Sequence, residues 1–458
     1  METRIVILAA GLGTRMRSKQ AKVLHRAGGR AMVEHVVSVA LSLTTPERVV
    51  VVTGHQAKEV EQLLKPSGIG FVRQAEQKGT GHALACCRRR IASRDGLLMV
   101  LYGDTPLLSA ATLARLREQH RQSRAAATLI TTAVPDPTGY GRVLVDDAGN
   151  VEEIIEQKDL KPGQESIRII NSGIYCFRAG LLWKHLREIQ PNLVTGEYYL
   201  TDMAGILRRR GHSVRAMHVQ DPSELLGINT RADLAEADRL LRWRKAQDLM
   251  LSGVTIERPE TVTIDPDVTC GQDTVIEPFA RLLGLTRVGA DCRIGAGAIL
   301  ESAVLEDRVT IAPYTLIADS HVAPGASAGP FARLRMGARV GADARVGNFV
   351  ELKKTTLGEG AKSQHLAYLG DSDIGAGVNI GAGAITCNYD GQRKHETRIG
   401  RGAFVGSNAT LVAPVEIGDG SYVAAGSVIT EAVPPEALAL GRARQVLKPG
   451  WVTRRRKT

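Results

Sequence analysis

Aliphatic residues return at every sixth position through much of the carboxyl-terminal half of this chain. Ile399, Val405, Leu411, Ile417, Val423 and Ile429 follow one another at that interval. Ala403, Ala409, Val415, Ser421 and Ser427 hold a small residue four places after an aliphatic one, and Gly400, Gly406 and Gly418 come directly after one. The beat recurs at Ile276, Leu282, Val288, Ile294 and Leu300, then at Leu334, Val340, Val346 and Leu352. An α-helix asks for apolar residues every three or four positions and a strand for every second, so a period of six fits neither. It fits a coil of three short strands, about 18 residues per turn, with the aliphatic side chains inside and glycine or small residues at the corners. Such coils stack with continuous parallel pairing. Aromatic residues make up only 4% of the chain, which suits a narrow core of Val, Ile, Leu and Ala.

The amino-terminal half has another pattern, and 458 residues leave room for two or three domains. Arg4–Ala10, Val49–Thr53, Leu97–Tyr102 and Ala127–Ala133 read as buried strands, and helical stretches around Met32–Leu43, Lys58–Leu64 and Gly81–Ala92 separate the first three. This alternation predicts an α/β domain with a mostly parallel sheet, covered by helices on both faces. Such sheets bind ligands at the carboxyl ends of their strands.

The net charge is +11, with arginine clusters at Arg88–Arg90, Arg208–Arg210 and Arg454–Lys457. No aromatics are interleaved with these clusters, which argues against nucleic acid and for small substrates carrying several phosphates. The basic tail beyond Trp451 reads as a solvated, frayed terminus. No apolar run is long enough to span a bilayer and no signal peptide is evident, so a cytoplasmic protein without membrane insertion is expected. Six cysteines without CxxC spacing, two of them adjacent as Cys86 and Cys87, read as reduced thiols rather than a disulfide frame or a zinc site.

Two chemical signals sit at strand ends. The first is Leu8-Ala9-Ala10-Gly11-Leu-Gly13-Thr-Arg15-Met16, straight after the first strand. Its glycines let backbone N–H groups approach a phosphate and Arg15 adds a fixed positive charge. It lacks the Gly-Lys-Ser/Thr of a Walker loop and the third glycine of a dinucleotide fingerprint, and a tight structural turn explains a bare glycine loop about as well. The second is Tyr102-Gly103-Asp104, which ends an apolar strand; Asp104 is a magnesium ligand or a turn-capping residue.

Taken together the signals carry a resemblance. Leu8 to Met16 followed by Lys22-Val-Leu-His25 resembles the signature of the sugar-1-phosphate nucleotidyltransferases. Gln74-Ala-Glu-Gln-x-Gly79-Thr80-Gly81-His82-Ala83, Asp136-Pro-Thr-Gly-Tyr-Gly141-Arg142 and Gly196-Glu-Tyr-Tyr-Leu-Thr-Asp202 narrow it. With the coil behind them, these motifs resemble the bacterial bifunctional N-acetylglucosamine-1-phosphate uridylyltransferase/glucosamine-1-phosphate acetyltransferases, from about Ile5 to Trp451. The resemblance implies a Rossmann-like nucleotidyltransferase domain over 1–229 and a helical linker over 230–253. It also implies an all-β left-handed parallel β-helix of hexapeptide repeats over 254–458, ending in the basic tail.

It further implies that Leu8, Ala9, Ala10, Gly11, Gln74, Gly79, Thr80, Tyr102 and Gly103 contact uracil, ribose and sugar. Arg15 and Lys22 would stabilise the triphosphate of UTP, Gly141, Glu156 and Asn171 would hold the N-acetylglucosamine moiety, and Asp104 and Asn229 would share one Mg²⁺. The chemistry agrees, because attack by a sugar phosphate oxygen on the α-phosphorus needs alignment and positive charge rather than a protein nucleophile. One departure is Ala21, where the family usually has proline before the lysine, which is expected to loosen the approach of Lys22. From Thr230 to about Gly253 one helix is expected, with Asn229 or Thr230 as its cap and Leu234, Leu240, Leu241, Trp243, Leu249 and Met250 as its apolar positions.

In the coil, the sixes break at His365 and again at Asn379–Gly391, which runs into a polar insertion over Gln392–Thr397. A loop thrown out from a rigid scaffold is where binding groups belong. A lone histidine is more often structural than catalytic, but the resemblance implies that His365 is the base and that Glu351 orients it. It implies that Arg335, Lys353, Tyr368, Asn379, Asn388, Tyr389 and Lys394 bind glucosamine-1-phosphate. Ala382, Asn388, Tyr389, Ser407, Ala425 and Arg442 would bind acetyl-CoA. Met336 and His395-Glu396 depart from the family pattern and put coenzyme affinity or loop mobility in question. Cys387 lies close by without a partner base that would mark it as a nucleophile. The coil offers flat faces, which in related acyltransferases pack around a threefold axis, so the resemblance implies a homotrimer. Two alternatives stand beside this: a monofunctional nucleotidyltransferase with an inert, oligomerising coil, and a non-enzymatic scaffold.

Overall fold

The computed structural model describes residues 2–91 and 96–456, in two compact units, 1–241 and 242–458. In the first unit β1 (Thr3–Ala9) lies between β2 (Val49–Thr53) and the strand Leu97–Tyr102, parallel to both. Its side chains alternate between two apolar cores, Ile5, Ile7 and Ala9 on one face and Val6 and Leu8 on the other. Both faces are therefore covered, and the sequence shows an unbroken apolar run instead of alternation.

Several elements escaped the sequence pattern. Gly70–Arg73 extends the sheet at one edge, Val214–His218 at the other, and Arg142–Val145 pairs with Val151–Ile155 as a hairpin. Ile169–Arg178 runs antiparallel to both of its neighbours, Leu97–Tyr102 and Ala127–Ala133, so the sheet is mixed. The helix expected over Gly81–Ala92 is shorter, Thr80–Cys86 followed by a tight turn through Arg89, and Ala92 lies outside the described residues.

Arg231–Leu251 forms one helix. Its cap is Thr230, whose Oγ1 accepts from the N–H of Asp233 at 3.1 Å while Asp233 Oδ2 accepts the N–H of both Asn229 and Thr230. The two units divide inside this helix, between Leu241 and Arg242. Ala237, with Leu234, Leu240 and Leu241, packs on Met32, Leu107 and Ile228 in the first unit; Ala246 and Leu249 join the core of the second. Trp243, expected as an apolar contact, is 37% exposed.

The second unit is the expected parallel β-helix, with three sheets of 11, 10 and 9 short strands, each strand pairing with the one a full coil later. The aliphatic residues of the sixfold beat point inward and are buried, among them Ile399, Val405, Leu411, Ile417, Val423 and Ile429. Each contributes roughly 1.5–3 kcal/mol by leaving water. The glycine after the aliphatic residue has a steric cause. A Cβ at Gly406 would lie 2.4 Å from the N of Ala425 in the next coil, and one at Gly418 2.4 Å from the N of Pro435.

The turn of about 18 residues is not uniform along the coil. Val275 pairs with Arg293 eighteen residues on, but Arg293 pairs with Thr310 and Lys362 with Asn379 after only seventeen, and Asn379 with Phe404 after twenty-five. The missing residue comes from one corner, between the second and third faces. Leu300 to Leu305, Ile317 to Val322, Leu352 to Leu357 and Leu369 to Ile374 are steps of five. Each short corner turns on a left-handed non-glycine residue, Ser302, Asp319, Lys354 or Asp371, with φ between 46° and 50°. The tail beyond Trp451 is not frayed throughout: Trp451–Arg455 forms a short helix with the Arg455 guanidinium 5.0 Å from the Trp451 ring, while Lys457 lies outside the described residues. No helix among the described residues is long and apolar enough to cross a membrane.

Candidate active sites

In the first unit the chemistry gathers where β1 and the strand Leu97–Tyr102 end. The N–H of Gly103 donates to Leu8 O at 2.9 Å, and a Cβ there would come within 3.1 Å of Ala9, so the two strand ends lie against each other. Gly13, at φ 63°, starts the turn Thr14–Met16; a Cβ on it would lie 2.5 Å from Cβ of Lys22. The glycine loop thus packs on the stem of that lysine. The N–H of Ile228 donates to Asp104 O at 3.0 Å, which brings Asn229 beside Asp104 across half the unit.

Four side chains converge there. Lys22 Nζ donates to Asp104 Oδ2 and, at 2.7 Å, to Asn229 Oδ1; Arg15 Nη2 donates to the same Asn229 oxygen at 2.8 Å. Asn229 Nδ2 is occupied with Gly227 O at 3.1 Å, which turns Oδ1 toward the cations. A carboxylate and an amide oxygen facing one cation form a hard donor pair suited to Mg²⁺, which takes few protein ligands and leaves the rest to phosphates and water. No cluster of three or more His, Cys, Asp or Glu among the described residues offers another metal site.

The flanking residues are ordered by their own bonds. Gln74, 3% exposed, donates through Nε2 to Gly79 O and meets His82 Nδ1 at 3.0 Å. Thr80 Oγ1 accepts the N–H of Leu200 at 3.0 Å. Desolvation holds the Tyr102 hydroxyl well above the ordinary tyrosine range, and a Cβ at Gly173 would strike its ring at 2.5 Å. Gly141 O accepts the N–H of Asn171 at 2.9 Å, Asn171 Nδ2 donates to Tyr175 OH at 2.7 Å, and Glu156 accepts from Thr201 Oγ1 at 2.9 Å. Burial, aided by the Glu156 charge, holds Asp202 above the usual carboxylate range. His82, Thr201 and Asp202 also belong to this cluster, and the motifs Gln74–Ala83 and Gly196–Asp202 are the signal in the sequence that points to them.

In the second unit the resemblance-implied residues form two groups. Asn348 pairs in register with His365, and the register of the following strands carries that position to Ala382, Ser407 and Ala425. One corner of the coil therefore presents Asn348, His365, Ala382, Ser407 and Ala425 as a column, and Arg442 Nη1 donates to Ala425 O at 2.9 Å. Asn348 is the ring partner of His365, Oδ1 to Nδ1 at 3.0 Å. With Nδ1 carrying the proton, Nε2 is the free base. Glu351, expected to orient the base, accepts from Arg335 Nε at 2.6 Å in this chain.

The other group lies at the far edge of the second face. Lys353 Nζ donates to Asp371 Oδ2 at 3.0 Å, Asn388 Nδ2 donates to the same oxygen, and Lys354 Nζ lies 3.6 Å from Asp371 Oδ1. Burial pushes the Asp371 carboxyl up, but Lys353 and Asn388 more than offset this and hold it below the usual range. Side-chain contact with Lys353, and that lysine's charge, holds Lys394 below the ordinary lysine range. Tyr368 lies in register with Glu351 on the second face, and Asn379 on the first. Four cations, Arg335, Lys353, Lys354 and Lys394, thus face two carboxylates, an excess that suits a phosphate.

The polar insertion is a closed hairpin, with Tyr389 bridging to Lys394. Asp390 accepts the N–H groups of Gln392 and Arg393 and lies 2.7 Å from His395 Nε2; these bonds, that to Arg393 first, hold its carboxyl well below the ordinary range. Glu396 pairs with Arg398 at 3.0 Å. His395 and Glu396 therefore tie the loop down. Met336 has φ 57°, a conformation closed to proline. Cys387 is half-buried, and no imidazole bonds to its thiol among the described residues.

Comparison with known proteins agrees with two fused enzymatic parts. Residues 5–161 match the MobA-like NTP transferase domain, 396–431 the bacterial transferase hexapeptide (six repeats), and 286–312 the hexapeptide repeat of succinyl-transferase. The bifunctional protein GlmU of Solibacter usitatus is 58% identical over 453 residues, covering 99% of this chain and 97% of its own. That of Koribacter versatilis is 50% identical over 455 residues, with 99% and 97% coverage. That of Shouchella clausii is 47% identical over 447 residues, with 98% of both chains covered.

Proposed function

Because this chain belongs to the family of bifunctional GlmU proteins, we propose that it runs two transfer reactions on the two residue sets described above. It is a uridylyltransferase and an acetyltransferase: it acetylates glucosamine-1-phosphate from acetyl-CoA, then couples the product to UTP, giving UDP-N-acetylglucosamine and pyrophosphate. The observation that carries both halves is that two separate sets of residues, each built for anionic substrates, occur in one chain. The His365 column and the cation cluster on the same coil speak against an inert coil.

In the uridylyl step a phosphate oxygen of N-acetylglucosamine-1-phosphate bonds to the α-phosphorus of UTP and the bond to the β-phosphate breaks. Arg15 and Lys22, now turned toward Asn229 and Asp104, are the cations that meet the triphosphate. Asp104 and Asn229 would hold Mg²⁺, which supplies positive charge against the phosphate oxygens when bound. Gln74, Gly79, Thr80 and Tyr102 take the nucleoside side, and Gly141, Glu156 and Asn171 the sugar side.

In the acetyl step the amine of the sugar attacks the thioester carbonyl, His365 Nε2 takes the amine proton, and the thiolate of coenzyme A leaves. Asn348 holds the ring in the tautomer this requires. Arg335, Lys353 and Lys394 bind the phosphate, and Ala382, Ser407, Ala425 and Arg442 line the coenzyme's path. The base stands at one edge of the second face and the phosphate-binding cations at the other. A homotrimer whose sites join the base of one chain to the cations of a neighbour accounts for this separation. Phe279, Tyr314, Phe331, Phe349 and Leu366, exposed in a row that ends beside His365, support a second copy covering that corner. Co-substrates made in the cytoplasm, and six unpaired cysteines, suit a cytoplasmic enzyme. Incubation with glucosamine-1-phosphate, acetyl-CoA, UTP and Mg²⁺ should give UDP-N-acetylglucosamine by mass spectrometry. Its absence while N-acetylglucosamine-1-phosphate is still converted would leave only the nucleotidyltransferase.

A further inference from the structure

Lys22 must deliver its ammonium between Asp104 and Asn229, and its direction is set by the short turn Lys22–Leu24 that begins at Ala21. Ala21 O accepts the N–H of Leu24 at 3.0 Å and Lys22 O that of His25 at 3.2 Å, so the turn is rigid once Ala21 is fixed. Ala21 is 1% exposed, with φ −55° and ψ 137°. A buried backbone N–H needs an acceptor. The one it has is not backbone: Gln56 Oε1 accepts it at 2.6 Å.

Gln56 is built for this at some expense. It precedes the helix Ala57–Leu64 in the left-handed region, φ 50° and ψ 43°, where a long side chain is disfavoured. In that conformation its backbone bridges Gly54, a residue packed so closely on the glycine loop that a Cβ would lie 2.6 Å from Ala10 O. One residue therefore ties the end of the second strand to both the phosphate loop and the lysine turn.

We propose that Gln56 is a positioning residue for uridylyl transfer: by accepting the Ala21 N–H it aims Lys22 at the triphosphate. The proposal rests on the role of Lys22 given above. Gly13 confines the stem of the lysine, Asp104 and Asn229 engage its head, and Gln56 anchors the backbone from which it springs.

The test measures uridylyl transfer from N-acetylglucosamine-1-phosphate by the full-length enzyme. Gln56→Ala and the volume-keeping Gln56→Met strand the Ala21 N–H, and because a stranded buried donor shifts toward another partner and takes Lys22 with it, each should lower kcat about ten-fold. Gln56→Glu, which keeps an accepting oxygen, should stay within about two-fold of wild type. The deciding variant is Gln56→Ala combined with Ala21→Pro. Proline has no N–H to strand and its ring holds φ near that of Ala21, so the double variant should recover to within about three-fold of wild type. A general loss of packing would not be repaired in this way. Wild-type rates in both Gln56→Ala and Gln56→Met overturn the proposal, and so does a loss that Ala21→Pro leaves unrepaired. Lys22→Ala at the wild-type rate would instead overturn the role of Lys22, and this proposal with it.

Discussion

At single residues, each site comes down to what one side chain's partner does. Asp104 gives one of the two oxygens that face the Lys22 ammonium. Asp104→Ala should abolish uridylyl transfer because it removes a proposed metal ligand and the lysine's partner together; acetyl transfer should persist. Loss of both activities in a folded variant would refute two independent sites. His365→Ala should cost acetyl transfer on the order of 10²- to 10⁴-fold and leave uridylyl transfer untouched. Asn348 is the side chain on the His365 ring, so Asn348→Ala should lower acetyl kcat about ten-fold and move its pH profile, since the bond that selects the tautomer is gone. An unchanged profile would mean the ring is held by something else. The resemblance led to His365 and Glu351; the Asn348 contact comes only from the fold. Asn348 carries no mark along the chain; it meets His365 because the coil between them is seventeen residues long.

At the scale of elements, the pattern of inward residues was legible and the corners were not. A period of six says which side chains enter the core, but a corner can lose a residue wherever a side chain tolerates the left-handed region. Asp371, which holds Lys353 and Asn388 in place, sits on such a corner. In the first unit the helix Ala110–Ser123 carries His120, which is 1% exposed, with Nδ1 2.8 Å from Thr128 Oγ1 and Nε2 unpartnered. Burial, with help from the Arg178 charge, pushes its pKa down to about 4. The folded value lies below the unfolded one, so as pH falls from about 6.5 toward 4 the unfolded chain takes up the proton first and stability drops. The loss amounts to roughly 3 kcal/mol at the acid end. Denaturant titrations at pH 7 and pH 4.5 should show a smaller acid loss in His120→Gln than in wild type; equal losses would exonerate this histidine.

For the molecule as a whole, the separation of the base column from the cation cluster is the observation with the widest consequence. If each acetyl site joins the base of one chain to the cations of another, inactive His365→Ala subunits mixed under exchange conditions with inactive Lys353→Ala subunits should regain acetyl transfer in some mixed oligomers. Light scattering showing a monomer at full acetyl activity would rule this out.

By itself the sequence determined the two architectures, because periodicity is a local property: strand–helix alternation in one half and sixes in the other admit few packings. It also marked the glycine loop, Asp104 and the inserted hairpin, which differ in kind from their surroundings. Only the tertiary structure decided which distant side chains meet. Asn229 reaches Asp104 through the bond from Ile228 to Asp104 O, Gln56 reaches Ala21 through a left-handed residue, and Asn348 reaches His365 through a shortened coil. Each meeting depends on a backbone register or a single φ angle, and a shift of one residue would abolish it while leaving the composition and the period unchanged.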